Sequence, residues 1–498
     1  MDEIERLKQD VREGRLDSDG LVALVVTLER RLREAYRRNE ELEKKLGGAA
    51  PAKLAEPFSV RAEEQRQEAR GKKRRKRKRP LRHGRFTTAE KVAQAERTEK
   101  VFPVGVAEND CKLSHTRPLW RLENGRAVLV AYEVYRGPRN QFGKIPGALG
   151  RSEFGLEIIV AIAYQVYVVG LSFDKVCLLM NFFQNLRLRK AQANALMNQL
   201  SRHWAGEFER LCTLLAHSAV VHTDETGWSL RSVWAFLSEQ ARVLFFGVAK
   251  DAETLRQILD PATFAGIVVS DDAAVYANFS RSQKCWAHLL RKAIKLTLVA
   301  PENAAYRTLT DRLLEIYRSA CRVQSDGRLG SAGRQQKVAA LQDEVFDLVA
   351  PVWVAELPPG EGPDDDYRLL CNELMRLLLA DQLFTFVTAA PVAVPRGETA
   401  AVAGTNNEAE RTLRGPAQAR KTGRTNKTYA GARRQTVVTS VLESLRQYLS
   451  AFTLSTVIEE IRGWQRAGRS CFARLMAQCK LSVPAASLLD RLLPVPAD

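Results

Sequence analysis

Among 498 residues there are only eight cysteines, at positions 111, 177, 212, 285, 321, 371, 471 and 479, and none forms a C-x-x-C pair. That spacing excludes a disulfide framework and a zinc ribbon, so reduced, buried thiols are expected. Long apolar runs are missing too. The most apolar stretch, FGLEIIVAIAYQVYVVGLSF from Phe154 to Phe173, contains Glu157 and Gln165. A buried globular helix is therefore expected there, and no membrane span. The first twenty residues mix acid with base and hold no apolar block, unlike a secretory leader. Acid is also in deficit, with 58 Asp and Glu against 76 Lys and Arg, a formal net charge of +18. With a pI near 9.7, the chain calls for a polyanionic partner, either nucleic acid or an acidic membrane surface. What is present suits a soluble multi-part protein: 45% of the residues are hydrophobic, enough for real cores.

The pattern divides into successive segments. Residues 1–50 carry a heptad seam, Leu21, Val25, Leu28, Leu32, Ala35, Asn39, Leu42 and Leu46, at alternating steps of four and three. This predicts a coiled coil joining two copies of the chain, with Asn39 fixing the register. Residues 51–100 form a basic linker containing KKRRKRKRP, Lys72 to Pro80. Such like charges repel and cannot pack, so a disordered arm is expected, in which Lys72, Lys73, Arg74 and Arg75 neutralise phosphates without reading sequence. Residues 101–150 are a small, partly β segment with no assigned role. Residues 151–217 read as helical. One helix is expected from about Ser172 and Phe173, a break over Gln184–Leu188, then a second helix carrying Arg187, Arg189, Lys190 and Arg202. A basic second helix suggests a helix-turn-helix.

From residue 218 the pattern becomes α/β. Strands are expected at AVVHT, VWAFL, VLFFGV and GIVVS, with a helix over 251–259 capped by Asp251 and a short strand before CWAHLL. Residues 218–300 would be the first part of a mixed-sheet core and 301–400 a helical insertion broken by the acidic loop LPPGEGPDDD. Residues 401–450 would be the second part, and 451–498 a C-terminal helical region. Sites on open sheets lie beyond the carboxyl ends of strands, and there stand Asp224 and, after GIVVS, Asp271 and Asp272. Juxtaposed acids repel unless a cation joins them, and Mg²⁺ prefers such oxygen ligands. A two-ion site needs a further carboxylate, with Thr405, Asn406, Asn407, Glu408 and Glu410 as candidates. Helix grammar offers structural readings as well. Thr405 with Glu408 fits a capping box, and Glu410 could pair with Arg414 one turn on. Asp224 could open a turn toward Gly227, and Asp271 or Asp272 could cap the segment through Tyr276.

Taken in order, VVHTDETGWSL, VVSDDAAVY, QKCWAHLLRKA and NNEAERTLRGPAQARK resemble the transposases of the IS66 family of insertion sequences. The resemblance implies a ribonuclease-H-like core with a DDE triad interrupted by a helical insertion. It implies Asp224 in DET, Asp271 in D-x-x-x-x-Y and Glu410 in NN-x-x-E-R as catalytic residues holding two Mg²⁺ (or Mn²⁺) ions. Cys285 and His288 form a C-x-x-H beside the site, too few ligands for zinc. His288, Arg291, Arg411, Arg414, Arg420 and Lys421 are candidates for DNA contact, with Lys284 and Lys292 nearby. Two departures stand out: no cysteine-rich segment follows the basic linker, so no zinc is expected, and Arg414 precedes Gly415 where the family usually has proline. The expected activity is cleavage at element ends and strand transfer into target DNA, in the cytoplasm on the nucleoid. Terminal repeats, target DNA, a second subunit and accessory proteins of the element are the expected partners. The alternatives are a ribonuclease-H-like nuclease or resolvase, and a non-catalytic dimeric DNA-binding repressor.

Overall fold

The computed structural model describes residues 86–354, 363–395 and 397–494, together with Val26, Arg30, Arg33 and Glu34, which are helical. Two units are distinguished, Met1–Arg85 and Phe86–Asp498. The heptad seam and the cationic run from Lys72 to Pro80 lie outside the described residues.

The second unit opens with a short helix, α1 (Thr88–Ala93), and a three-stranded sheet, β1 (Arg97–Val101), β2 (Lys112–Glu123) and β3 (Arg126–Arg136), in the order β1-β3-β2. Asn124 and Gly125 both take positive φ, 48° and 79°, between the antiparallel β2 and β3. An Asn-Gly pair favours this because a two-residue hairpin turn of matching twist needs both central residues there.

Three helices follow: α2 (Leu156–Tyr167), α3 (Phe173–Gln184) and α4 (Lys190–Ala216). α2 is a 12-residue helix with Ile158, Ile159 and Ile162 fully buried. Among the described residues no helix is long and apolar enough to cross a membrane. The two-helix reading needs revision in detail. α4 begins only at Lys190, so Arg187 and Arg189 lie in the connection, where Asn185 takes a left-handed φ of 51°. α4 runs for 27 residues and buries Leu196, Leu200, Trp204, Phe208 and Leu211 in the main core. Its apolar stripe at helical spacing makes it a scaffold helix of the central sheet.

That sheet contains β4 (Val220–Gly227), β5 (Ser232–Ser238), β6 (Arg242–Val248), β7 (Ile267–Ser270) and β8 (Ser282–Lys284). Their order is β6-β5-β4-β7-β8. The first three pair antiparallel, whereas β7 lies parallel to β4, and β8 parallel to β7. The crossover from β6 to β7 carries α5 (Ala252–Ile258), whose Thr254 N–H donates to the Asp251 carboxylate at 2.8 Å, the expected cap. Strand alternation divides the sheet between two cores. Val221, Trp234, Phe236 and Val268 face α4, whereas Val220, Ile267 and Val269 face a second, helical core.

The second core is built from α6 (Trp286–Val299), α7 (Ala304–Ser325), α8 (Ser331–Val354), α9 (Pro363–Leu379) and the short α10 (Thr385–Thr388). Trp286 is fully buried there, stacked on Tyr317 with ring centres 5.4 Å apart. The acidic stretch expected as a loop is partly helical: Asp364, Asp365 and Asp366 form the first turn of α9. Carboxylates are favoured at that position by the helix dipole.

The chain returns through a two-stranded ribbon, β9 (Val392–Ala393) and β10 (Thr399–Ala400), to α11 (Asn407–Lys421) and α12 (Tyr429–Tyr448). On α12, Thr436, Ser440 and Ser444 recur every four residues and accept from the N–H groups of Phe246, Leu244 and Arg242 at 3.0, 2.9 and 2.9 Å. The exposed edge of β6 is thereby satisfied by one face of a helix. Helices α13 (Leu454–Ala467), α14 (Cys471–Gln478) and α15 (Leu488–Leu492) complete the chain.

Candidate active site

β4 and β7 run parallel in the register Val220 to Ile267, Val221 to Val268 and His222 to Val269. Two residues further, the same register sets Asp224 level with Asp271. β4 continues to Gly227, so Asp224 lies within a strand and opens no turn. Alternation then separates the two adjacent acids. Asp224 shares its face with Val220 of the helical core, while Glu225 turns to the other side. There Glu225 is 2% exposed, accepts from the Tyr276 hydroxyl and pairs with Lys250 at 2.8 Å. It is a buried, compensated charge. Burial, with Glu225 next in order, holds the Tyr276 hydroxyl well above its ordinary pKa.

Asp271 follows β7 directly, and its Oδ1 accepts from the Ala273 N–H at 3.1 Å, a local turn bond compatible with a free second oxygen. Beside it, Lys284 donates to the Ser270 hydroxyl and the Asp271 carbonyl at 3.3 and 3.2 Å. Burial lowers the Lys284 ammonium pKa, and the charges of Asp272 and Asp271 oppose that. Asp272 turns away to an ion pair with Arg376 of α9, tying the loop to the helical insertion.

Glu410 sits in the first turn of α11. Its Oε1 accepts from Arg291 of α6 at 2.8 Å, and His288 Nδ1 lies 3.5 Å away. Pairing with Arg414 is therefore replaced by pairing with a neighbouring helix. The anticipated Thr405–Glu408 capping box is absent as well. Asn406 is the N-cap, without a side-chain cap bond, and Glu408 pairs with Arg242.

The neighbouring acids act on Asp224. The Asp224 carboxyl is pushed up to about 7, first by burial and then by the charges of Glu225, Asp271 and Glu410, against the Glu225 N–H that stabilises its anion. The half-buried His222, two residues earlier on the same face, is pulled below its ordinary pKa by desolvation. Cys285, His288 and Glu410 bring ligand atoms within 4.8 Å of one another. The Cys285 thiol is, however, raised by burial and accepts a backbone hydrogen bond, which leaves it poorly disposed to ligate.

The basic residues expected to meet DNA are spread over several elements. Arg411, Arg414, Arg420 and Lys421 are exposed along α11, and Arg420 also donates to the Gly227 carbonyl at 3.0 Å. Arg187, Arg189 and Lys190 are exposed between α3 and α4, where Lys190 pairs with Asp174 at 2.8 Å. Lys72, Lys73, Arg74 and Arg75 lie outside the described residues. Reading the sequence missed the Arg291–Glu410 pair, the Lys250–Glu225–Tyr276 group and the Arg376–Asp272 tie. Only the opposed faces of Asp224 and Glu225 had a sequence signal, the period of two.

The chain matches no curated protein. The sequence pattern described as Transposase IS66 family matches residues 151–434, which run from before α2 into α12 and include every element that carries the three acids. That match spans more than half of the chain, and on it the protein belongs to the IS66 family of transposases.

Proposed function

We propose that Asp224, Asp271 and Glu410 form the DDE centre of a metal-dependent transposase that cleaves DNA at element ends and joins them to target DNA. The observation that supports this reading is that acids from separate segments lie near Asp224, whose carboxyl is pushed up to about 7 by burial and by the charges of Glu225, Asp271 and Glu410. The sheet order β6-β5-β4-β7-β8, with an antiparallel half and a parallel half, supports a ribonuclease-H-like core interrupted by a helical insertion that carries α7–α10.

An all-carboxylate donor set under that strain suits hard divalent cations such as Mg²⁺ or Mn²⁺. Two such ions, when bound, supply charge neutralisation to both the attacking and the leaving oxygen of an in-line displacement. The chain's residues supply position. Asp224 lies in β4 and Asp271 follows the adjacent parallel β7, and Glu410, in the first turn of α11, stands close enough for its charge to act on Asp224. Arg291 balances Glu410 and lies on the exposed rim, where it can pass to a phosphate. In the first step, water attacks the phosphorus at the element end and the P–O3′ bond breaks, freeing a 3′-hydroxyl. That hydroxyl next attacks a target phosphodiester, displacing the 3′-oxygen of the target strand. No covalent enzyme intermediate forms, and orientation with charge stabilisation does the catalysis.

Exposed Arg411, Arg414, Arg420 and Lys421 continue the centre as a phosphate-contacting helix face. Arg187, Arg189 and Lys190 would meet terminal-repeat DNA, the run from Lys72 would add affinity without sequence preference, and the heptad seam would pair subunits. Element-encoded accessory proteins fit as further partners. A labelled element end incubated with the protein in Mg²⁺ tests the reading. Cleavage that is lost in EDTA and in Asp224→Asn, Asp271→Asn and Glu410→Gln, with DNA binding retained, is the expected result. Cleavage that survives the triad substitutions would refute the site, and binding with no cleavage would favour a repressor.

A further inference from the structure

Three acid-bearing segments far apart in sequence must be held to a fraction of an ångström for such a centre to work. The structure shows how. Asn406 is fully buried. Its side-chain amide donates to the carbonyl of Thr223, the residue before Asp224, at 2.7 Å. Its own N–H donates to the Cys285 sulfur at 3.1 Å. Cys285, 1% exposed, donates its N–H to the carbonyl of Ser270, the residue before Asp271, at 2.9 Å. Finally, the Glu410 N–H donates to the Asn406 carbonyl at 3.2 Å.

Each acid is thus within one hydrogen bond and one peptide unit of a two-residue hub. Next to it, the Gly404 carbonyl accepts from the Trp286 N–H at 3.0 Å, which fixes the approach to α11 against the start of α6. No comparable set of bonds runs directly between the three carboxylates themselves among the described residues.

We infer that Asn406 and Cys285 are positioning residues whose hydrogen bonds lock β4, β7 and α11 in the one arrangement that lets Asp224, Asp271 and Glu410 share divalent cations. This rests on the triad reading above. Neither residue touches substrate. Cys285 serves through its sulfur as an acceptor and needs no ionisation, so serine can stand in and alanine cannot. Asn406 must donate to a carbonyl, so aspartate, which carries no donor at neutral pH, fails although it matches in size.

The test is direct Mn²⁺ binding by the full chain, measured by electron paramagnetic resonance without DNA. Asn406→Ala, Asn406→Asp, Cys285→Ala and Cys285→Ser are compared with the parent and with Asp224→Asn, alongside thermal unfolding in EDTA. Outer-shell partners of metal ligands typically change affinity by about 10–100-fold. A loss in that range is expected in Asn406→Ala, Asn406→Asp and Cys285→Ala, with most of it restored in Cys285→Ser. Folding is expected to persist in at least Cys285→Ser, since the sulfur–oxygen exchange nearly conserves volume, and the unfolding measurement reports whether the alanine variants fold. Parent-like Mn²⁺ affinity in Asn406→Ala and Cys285→Ala, while Asp224→Asn loses it, would overturn the hub and leave the triad standing. Mn²⁺ binding indifferent to Asp224→Asn would overturn the triad itself and the hub with it.

Discussion

Replacing Asp224 by asparagine should stabilise the cation-free protein while removing its chemistry. The folded-state carboxyl is held at about 7 against an ordinary value of 3.8, chiefly by burial, with Glu225, Asp271 and Glu410 adding to it. A raised pKa means that the folded state prefers the proton. The associated stability is present below about 3.8 and is lost as pH rises through about 7. At about 1.4 kcal/mol per pH unit, the gap sets a ceiling of roughly 4 kcal/mol on the penalty above pH 7. Relaxation and water entry reduce that, and about 1–3 kcal/mol is a reasonable expectation. Asparagine fills the same volume and carries no charge. Denaturant unfolding in EDTA should therefore show Asp224→Asn equal to the parent near pH 4 and more stable by that amount at pH 8. Added Mg²⁺ should stabilise the parent selectively and close the gap, because a ligand for the folded state shifts unfolding by mass action. An Asp224→Asn protein less stable than the parent at pH 8 in EDTA would refute the picture of mutually repelling, cation-seeking acids.

On the opposite sheet face, Tyr276→Phe removes the hydroxyl that donates to buried Glu225. It should lower unfolding free energy by about 1–3 kcal/mol, as measured by denaturant titration, through an under-satisfied carboxylate. Changing Lys72, Lys73, Arg74 and Arg75 together to alanine should weaken DNA binding uniformly across sequences. The slope of log affinity against log salt should fall by about 3–4, at roughly 0.9 for each phosphate no longer neutralised, which a fluorescence-anisotropy salt series can read. Deleting residues 1–50 should convert a dimer into a monomer in analytical ultracentrifugation, while DNA cleavage at a single end persists. A deletion protein that stays dimeric would place self-association elsewhere.

Much of the centre is legible from local pattern. The apolar run before Asp271 marks a strand whose carboxyl end carries acid, and β7 does lie parallel to β4, whereas β4 runs on past Asp224 to Gly227 and places that acid inside the strand. The segment around Asn124–Gly125 reads only as partly β, and the hairpin turn at that pair is added by the structure. In the sequence the basic residues of α4 suggest a helix-turn-helix, whereas in the structure its stripe of Leu196, Leu200, Trp204 and Phe208 is buried in the main core. Other features depend on distant partners that no window contains. Glu408 is drawn out of a capping box by Arg242, 166 residues away. Glu410 meets Arg291 across 119 residues and leaves Arg414 exposed. The hub at Asn406 is tertiary in the same sense, since its bonds cross 183 residues to Thr223 and 121 to Cys285. Choosing Glu410 over Glu408 and Asp271 over Asp272 rests on family resemblance. The ion pairs of Glu408 with Arg242 and Asp272 with Arg376 occupy the other acid of each pair.

Strand transfer tests the central claim most directly. A labelled element end with a pre-formed 3′-hydroxyl is mixed with supercoiled plasmid, Mg²⁺ and the protein, beside Asp224→Asn, Asp271→Asn and Glu410→Gln. Covalent joining of label to plasmid by the parent, lost in each variant while DNA binding is kept, is the predicted result. Joining that persists without any one of the three acids would contradict the shared centre, and cleavage of intact ends with no joining would mark the protein as a nuclease.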